Sequence, residues 1–332
     1  MRVATDVGGT FTDLVAFDPR TGGLVATKAH STPPDFAEGT LEVFRRSGIA
    51  PAEVKTFIHG TTTVINAITE RRGARVGLIT TRGFRDVLEI GRGNRPDLYN
   101  FTYHKPVPLV PRDLRLEVSE RMGPGGDVLL RLDDDEVRAA ARALRAAGVQ
   151  AVAICFLHAY ANPAHELQAA KVIQEEWPEA AVCPSVSISR EWREYERTST
   201  AVLNAYVQPV GRAYLERLAA GLQGLGVRAP VYAMLSGGGI APLSRAAAAP
   251  IHLLESGPVA GMAGAALLGA VTGRPDLIAI DVGGTTAKAS LIQDGRVQVR
   301  TDYRIESTPV YPGYPVQVPV VDIVEVGAGG GS

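Results

Sequence analysis

Apolar residues recur along this chain in short runs, some with the spacing of strands and some with that of helices. The runs Val3-Ala4 and Leu14-Val15-Ala16-Phe17 flank a glycine pair, and a turn over 18–23 precedes a third apolar segment, which predicts a three-stranded meander. The same pattern returns at Leu277-Ile278-Ala279-Ile280 and Ala289-Ser290-Leu291-Ile292, followed by a turn at Asp294-Gly295. Between the meanders, helical spacing predicts helices over 35–46, about 64–72, 133–147 and 162–177, with buried strands at 54–58, 74–80 and 150–156. The cleanest helix has Asp133 as N-cap, Glu136 as its capping-box partner, Val137, Ala140, Ala141 and Leu144 as an apolar stripe, and Gly148 as its stop. From 189 to 222 the helical pattern is long for one core helix, and Pro209 is expected to kink or divide it. The mixed charges Glu191, Arg193, Glu194, Glu196 and Arg197 at its entry read as a solvated face. A strand over 231–235 then leads into Ser236-Gly237-Gly238-Gly239, and the proline-rich stretch 303–319 reads as an extended surface connection.

The phrase at the first bend carries the chemistry. Asp6-Val7-Gly8-Gly9-Thr10-Phe11-Thr12-Asp13 is matched by Asp281-Val282-Gly283-Gly284-Thr285-Thr286-Ala287-Lys288 in the same strand context. Two glycines let successive backbone N–H groups converge on an anion, the hydroxyl of Thr10 or Thr285 adds a donor, and the preceding aspartate can hold a water of a magnesium ion. No Gly-Lys-Ser/Thr follows, so this is no P-loop. The glycines open a strand and not a helix, so it is no dinucleotide fingerprint either. One copy alone reads as an ordinary hairpin turn; two copies in matching context read as a nucleotide-binding pair.

Composition narrows the class. The 332 residues suffice for two domains, and with 45% hydrophobic and 21% charged residues the chain has the make-up of a soluble globular protein. A net charge of -1 with scattered basic residues gives no basis for a nucleic-acid or anionic-membrane partner. Cys155 and Cys183 are too few for a disulfide framework or a cysteine zinc site and read as packing residues in a reducing cytoplasm. No apolar run approaches membrane-spanning length, and the first strand begins without a signal peptide. His158 and His165 lack nearby acidic or sulfur ligands, which argues against a metal there.

The paired hairpins resemble the two phosphate loops of the actin, sugar kinase and heat-shock chaperone ATPase superfamily. Within it the chain is similar to the A-type subunit of the ATP-dependent hydantoinase and 5-oxoprolinase family. The resemblance is carried by both hairpin phrases, by His59-Gly60-Thr61-Thr62-Thr63-Val64-Ile65-Asn66, by residues 73–86, by Glu255-Ser256-Gly257-Pro258-Val259-Ala260-Gly261, and by Gly327 to Ser332. It implies an α/β fold of duplicated actin-like, ribonuclease H-like domains, here 1–188 and 189–332. It also implies a chain that continues past Ser332, leaving the second domain unfinished.

Several stretches can be read in two ways. The strand at 54–58 delivers His59, Thr61 and Thr62 to its C-terminal end, where open α/β sheets bind ligands, and the next helix points free N–H groups into the same space. Thr62 or Thr63 is either an N-cap or a ligand group, and His59 either a satisfied strand-end histidine or a site residue. The loop residues Arg82, Arg85, Arg92 and Arg95 lie among glycines, as in a segment closing over an anionic or amide-bearing group or as in a solvated loop. The family resemblance favours the first. Ser256-Gly257 is a further candidate anion cradle at a helix start.

The resemblance implies ATP and Mg²⁺ as cofactors, a hydrolase B-type subunit as partner in a hetero-oligomer, and a small cyclic amide as substrate. In that picture Asp6 and Asp281 manage magnesium or water as catalytic and metal residues. Gly8, Gly9, Thr10, Thr12, Asp13, Gly283, Gly284, Thr285 and Thr286 hold phosphates, Gly327, Gly329 and Gly330 border the nucleotide, and His59, Thr61, Thr62, Arg92 and Arg95 face the substrate. Phosphorylating the amide carbonyl oxygen would activate a reluctant electrophile for ring opening by water. The alternatives are an ATP-dependent ketone carboxylase subunit, and an ATP-driven switch acting on a partner protein.

Overall fold

The computed structural model describes residues 1–332 except 94–98, 284–286, 309, 328–329 and 331–332. The chain begins with β1 (Arg2–Val7), β2 (Phe11–Phe17), β3 (Leu24–His30), α1 (Phe36–Arg46), β4 (Thr56–Thr61), α2 (Thr63–Thr69), β5 (Val76–Thr81) and α3 (Val87–Ile90). There follow β6 (Arg115–Val118), β7 (Arg121–Met122), β8 (Val128–Leu130), α4 (Asp134–Ala146), β9 (Ala151–Cys155), α5 (Ala164–Glu176), β10 (Ala181–Pro184) and α6 (Glu194–Gly224). The rest comprises β11 (Val231–Met234), β12 (Ile240–Pro242), α7 (Leu243–Ala248), α8 (Ser256–Thr272), β13 (Leu277–Val282), β14 (Ala287–Gln293), β15 (Arg296–Val297) and β16 (Val299–Arg300). It closes with β17 (Tyr303–Ile305), β18 (Tyr314–Val316), β19 (Val320–Val321) and β20 (Val324–Val326). No helix among the described residues is long and apolar enough to cross a membrane.

Two compact units divide the chain: residues 1–66, 211–300 and 319–332 form one, and 67–210 with 301–318 the other. The expected division at residue 188 follows the repeat along the chain, whereas these units interleave.

The first unit holds both glycine hairpins. Its larger sheet has the order β12-β11-β4-β1-β2-β3, with β4 parallel to β1 and β11 and the remaining pairs antiparallel. Val3, Val7, Leu14 and Ala16 alternate into one buried face, as the period of two requires. Helix α1 contributes buried Leu41, Val43 and Phe44, and the Phe44 ring meets Phe57 of β4 edge-on at 6.1 Å. Its N-cap is Asp35, which accepts from the Ala37 amide. The second meander forms the order β13-β14-β15, with β20 added on β14. Its inner face packs Ala279 and Ile292 with Val259 and Met262 of α8, Met234 and Val321.

The second unit is built on a fully parallel sheet, β10-β9-β5-β6. Strands β5 and β9 are buried along their whole length, the signature of a sheet covered on both faces. At Gly77 a Cβ would lie 2.6 Å from Leu144, so the missing side chain lets α4 seat against β5. Asp133 caps α4 through the Asp135 and Glu136 amides as expected, but the reciprocal half of the capping box is absent. The Glu136 carboxylate instead takes the Ser119 amide and Arg82.

Three expectations are corrected here. Of the kink or division expected at Pro209, the division is absent, and helix α6 runs on with Pro209 inside it. Its entry is solvated only in part: Glu191 and Arg193 are exposed, but Arg197 is 1% exposed, donating Nη2 to the Phe156 carbonyl at 2.6 Å, and Glu196 pairs with Arg92. The segment 303–319 is no surface connection either. Gly313, at φ +65°, turns it into the β17–β18 hairpin, and Ile305, Tyr314, Val316 and Val318 are buried.

Candidate functional site

The first hairpin turn is tied closed by its own backbone. The Gly8 amide donates to the Phe11 carbonyl at 2.9 Å, and the Ser31 hydroxyl donates to the Gly8 carbonyl at 2.7 Å. Thr12 is buried with its hydroxyl 3.1 Å from that of Ser31, so it braces the turn, while Gly9 and Thr10 stand exposed at the tip. Asp13 pairs with Lys28 at 3.1 Å. Exposed amides and a hydroxyl at a glycine turn are a donor set suited to phosphate.

Asp6 lies beside Gly60, its register partner in the parallel pairing of β1 and β4. A Cβ at Gly60 would sit 3.1 Å from Asp6 Oδ1, and one at Gly257 would collide with it. The carboxylate therefore occupies space that two glycines leave. Its Oδ1 is shut off from solvent and has no hydrogen-bond partner, a costly condition for a carboxylate oxygen that a cation or its bound water would relieve. Burial, then the charges of Asp13 and Asp281, lift the Asp6 carboxyl from 3.8 to about 6, while Lys288 pulls it down. Charges of the second hairpin thus act at the aspartate of the first.

Glu255-Ser256-Gly257, at the start of α8, gives one residue to each of three neighbours. The Glu255 carboxylate is ion-paired with Lys288 of β14, which also lies 3.7 Å from Glu325 of β20. The Ser256 hydroxyl accepts from the Thr61 amide at 2.9 Å and donates to the Thr61 carbonyl at 2.8 Å. Gly257 admits the Asp6 carboxylate. Glu255 holds φ +55°, a left-handed conformation costing a side-chain-bearing residue about 1 kcal/mol. The Ser256 hydroxyl is thus spent on Thr61 and the space over Gly257 on the Asp6 carboxylate, and the tripeptide joins β1, β4 and β14.

The remaining expected residues separate into those with free groups and those without. His59 is fully buried, with Nδ1 2.9 Å from the Thr5 hydroxyl and Nε2 2.6 Å from the Tyr214 hydroxyl, so neither ring nitrogen is left for a substrate. Burial lowers its pKa to about 3 and keeps the ring neutral. Thr61 is also buried; its hydroxyl accepts from the Thr63 amide at 3.1 Å and supplies the cap of α2. Thr62 directs amide and hydroxyl to the Val7 carbonyl at 3.2 and 3.3 Å. Arg92 belongs to the second unit, where its Nε lies 2.7 Å from Glu196. Gly283 is exposed, and its carbonyl accepts from the Gly330 amide at 3.0 Å, which brings the final glycine motif to the second hairpin; Gly327 is exposed beside it in sequence. Arg95, Gly284, Thr285, Thr286 and Gly329 lie outside the described residues.

Residues 2–177 match the hydantoinase/oxoprolinase N-terminal region, and residues 197–332 match the hydantoinase/oxoprolinase domain. The chain belongs to the hydantoinase/oxoprolinase family. It is 35% identical to the caprolactamase subunit alpha of Pseudomonas jessenii over 100% of this chain and 48% of that protein. The crystal structure of ATP-dependent caprolactamase from the same organism superimposes with a TM-score of 0.86 at 34% identity, over 100% of this chain and 48% of that one. A nucleotide-free acetone carboxylase structure gives a TM-score of 0.88 at 29% identity, over 99% and 48% of the two chains. The 5-oxoprolinase of Saccharomyces cerevisiae is 30% identical over 100% of this chain and 28% of that protein. The chain spans about half the length of the first curated relatives it matches. These matches establish an α/β fold with mixed sheets, shared with ATP-dependent caprolactamase and acetone carboxylase.

Within this family member the set Glu255, Lys288, Ser31 and Tyr214 was missed by the sequence reading. Only Glu255 carried a signal, as an acidic residue directly before Ser-Gly-Pro at the head of a small-residue helix. Magnesium is typically held through one or two carboxylates, with water and substrate phosphates completing the shell. Asp6 and Asp281 fit that mode, and among the described residues no group of three or more His, Cys, Asp or Glu is gathered into an all-protein cage.

Proposed function

We propose that this chain forms part of the ATP-using subunit of a cyclic amide hydrolase, acting with a B-type hydrolase subunit in a hetero-oligomer. The observation that carries the reading is Asp6, an ionisable group with an unpartnered oxygen under two glycines, influenced by the charges of the second hairpin. The caprolactamase and 5-oxoprolinase relatives support it. In this reading the two hairpins belong to duplicated actin-like halves, divided along the chain near residue 188.

Phosphoryl transfer requires positioning and charge neutralisation more than covalent chemistry from the protein. The exposed tip of Gly9 and Thr10 presents donors to a phosphate, with Gly8, Thr12 and Asp13 fixing the turn. By the repeat of the phrase, Gly283, Gly284, Thr285 and Thr286 are assigned to phosphate in the second copy, and Gly327, Gly329 and Gly330 to the border of the nucleotide. Asp6 and Asp281 hold magnesium or its waters, and that ion when bound neutralises phosphate charge. Lys288, anchored by Glu255, keeps a positive charge near Asp6 and favours its ionised form. The amide carbonyl oxygen attacks the terminal phosphorus of ATP and ADP departs; water then adds to the activated carbon on the partner subunit, the ring C–N bond breaks, and inorganic phosphate leaves. His59, Thr61 and Thr62 support this site by fixing β4 against β1 and α6, and Arg92 and Arg95 are the candidates for substrate contact.

The test is phosphate release from Mg-ATP by the complete subunit with its hydrolase partner, with and without caprolactam, hydantoin or 5-oxoproline. Lactam-stimulated release is expected, and Asp6→Asn should lower it roughly 100-fold or more with an unchanged circular dichroism spectrum. Release in Asp6→Asn equal to that of the parent removes Asp6 from the mechanism. The acetone carboxylase likeness favours one second reading, activation of bicarbonate and a ketone. Release that ignores every lactam and rises with bicarbonate plus ketone selects it.

A further inference from the structure

A cavity of about 330 Å³ opens within the second unit, and no residue of either glycine hairpin lines it. Its walls include Ile90, Tyr103, Lys105, Tyr195, Arg304 and Pro312. The volume is at the small end of ligand pockets, and the mixture of ring faces, aliphatic groups and a few charges is the usual lining of one.

The charges there do not balance. Glu89 is bound to Arg115 at 3.0 Å, and Glu196 neutralises Arg92. Lys105 and Arg304 have no carboxylate partner among the described residues. Lys105 Nζ donates to the carbonyls of Glu89 and Ile90 at 3.3 and 3.1 Å, and Arg304 Nη1 to the Pro312 carbonyl at 3.3 Å. Each cation therefore keeps N–H donors and a full charge for a ligand. The amides of Gly91 and Gly93 are spent on the Val87 and Ile90 carbonyls at 2.9 and 3.3 Å. The free donors named here are thus those of two side-chain cations, which can meet a carboxylate while its body lies on Tyr103, Tyr195, Ile90 and Pro312.

The geometry points to this cavity as a binding site for a small organic carboxylate with an apolar body, held by Lys105 and Arg304. Arg92, proposed above for substrate contact, also lines this cavity, so the inference rests on that reading; its test uses neither ATP nor a lactam, so the two can fail separately. Isothermal titration of the full chain with cyclopentanecarboxylate is compared with its neutral isostere cyclopentanecarboxamide and with inorganic phosphate. Saturable carboxylate binding is expected, about tenfold or more tighter than the carboxamide. Arg304→Gln and Lys105→Met should each weaken the carboxylate about tenfold and leave the carboxamide unmoved. Both side chains are at exposed positions, so folding is checked by circular dichroism. Equal affinity for acid and amide, tighter binding of phosphate, no saturable carboxylate binding below about 50 mM, or unchanged affinity in both variants would each overturn the proposal.

Discussion

The two hairpins share a phrase and bury opposite faces. In the first, Val3, Thr5 and Val7 face the core, at 1%, 4% and 1% exposure, while Ala4 is exposed. In the second, the equivalent Ile278, Ile280 and Val282 are 64%, 68% and 60% exposed, and it is Ala279 that is buried. The partner strands follow suit: Leu14 and Ala16 are buried in β2, whereas Leu291 of β14 is exposed and Ser290 and Ile292 are buried. The shared phrase thus does not dictate which face packs; neighbouring elements decide the covered side. The apolar character of Ile278, Ile280 and Val282 makes the second hairpin apolar on both faces, the composition of a strand buried on both sides.

The largest effect is expected where the first hairpin meets α8. Gly257→Ala drives a Cβ into Asp6 Oδ1 and should cost about 3 kcal/mol in urea unfolding, as overpacking at a site with no free volume does. Pairing it with Asp6→Gly should recover most of that loss, because the clash is with this carboxylate. An unchanged midpoint in the single variant would mean the carboxylate moves aside freely, and the close fit would lose its significance.

A cleaner test of the inversion uses the identical residues Val7 and Val282. Val7→Ala removes a fully buried side chain and should cost about 2 kcal/mol, while Val282→Ala should stay within about 0.5 kcal/mol. Equal losses would show that Val282 is covered in solution.

Local patterns were legible in the sequence, and long-range partners were not. The meanders, the Asp35 and Asp133 caps and the buried runs of β5 and β9 depend on neighbours a few residues away, so periodicity and cap chemistry reveal them. The aspartates of the two hairpins were legible because the phrase repeats. His59 stayed open between a satisfied strand-end residue and a substrate group because its partners, Thr5 and Tyr214, lie 54 and 155 residues away, and a strand-end histidine looks the same whether satisfied or free. Arg197 was misplaced for a related reason. A charged residue at a helix entry is normally solvated, and only the passage of α6 through the unit's interior buries it.

The last effect concerns Asp6 itself and depends on pH. Its carboxyl is raised from 3.8 to about 6, so between those values the folded chain binds more protons than the unfolded one. Stability must then fall as pH rises from about 4 to 6 and level off above, since its slope follows the protons bound in the unfolded state minus those in the native state. Asp6→Asn removes the charge that burial and Asp281 oppose. It should be more stable than the parent by up to about 3 kcal/mol at pH 8, with the difference shrinking toward zero near pH 4. Adding Asp281→Asn should reduce the remaining benefit of Asp6→Asn, because one of the charges opposing Asp6 is then gone. A gain in Asp6→Asn that is flat across this range would place the cost in packing and not in charge. A gain untouched by Asp281→Asn would separate the two hairpins electrostatically.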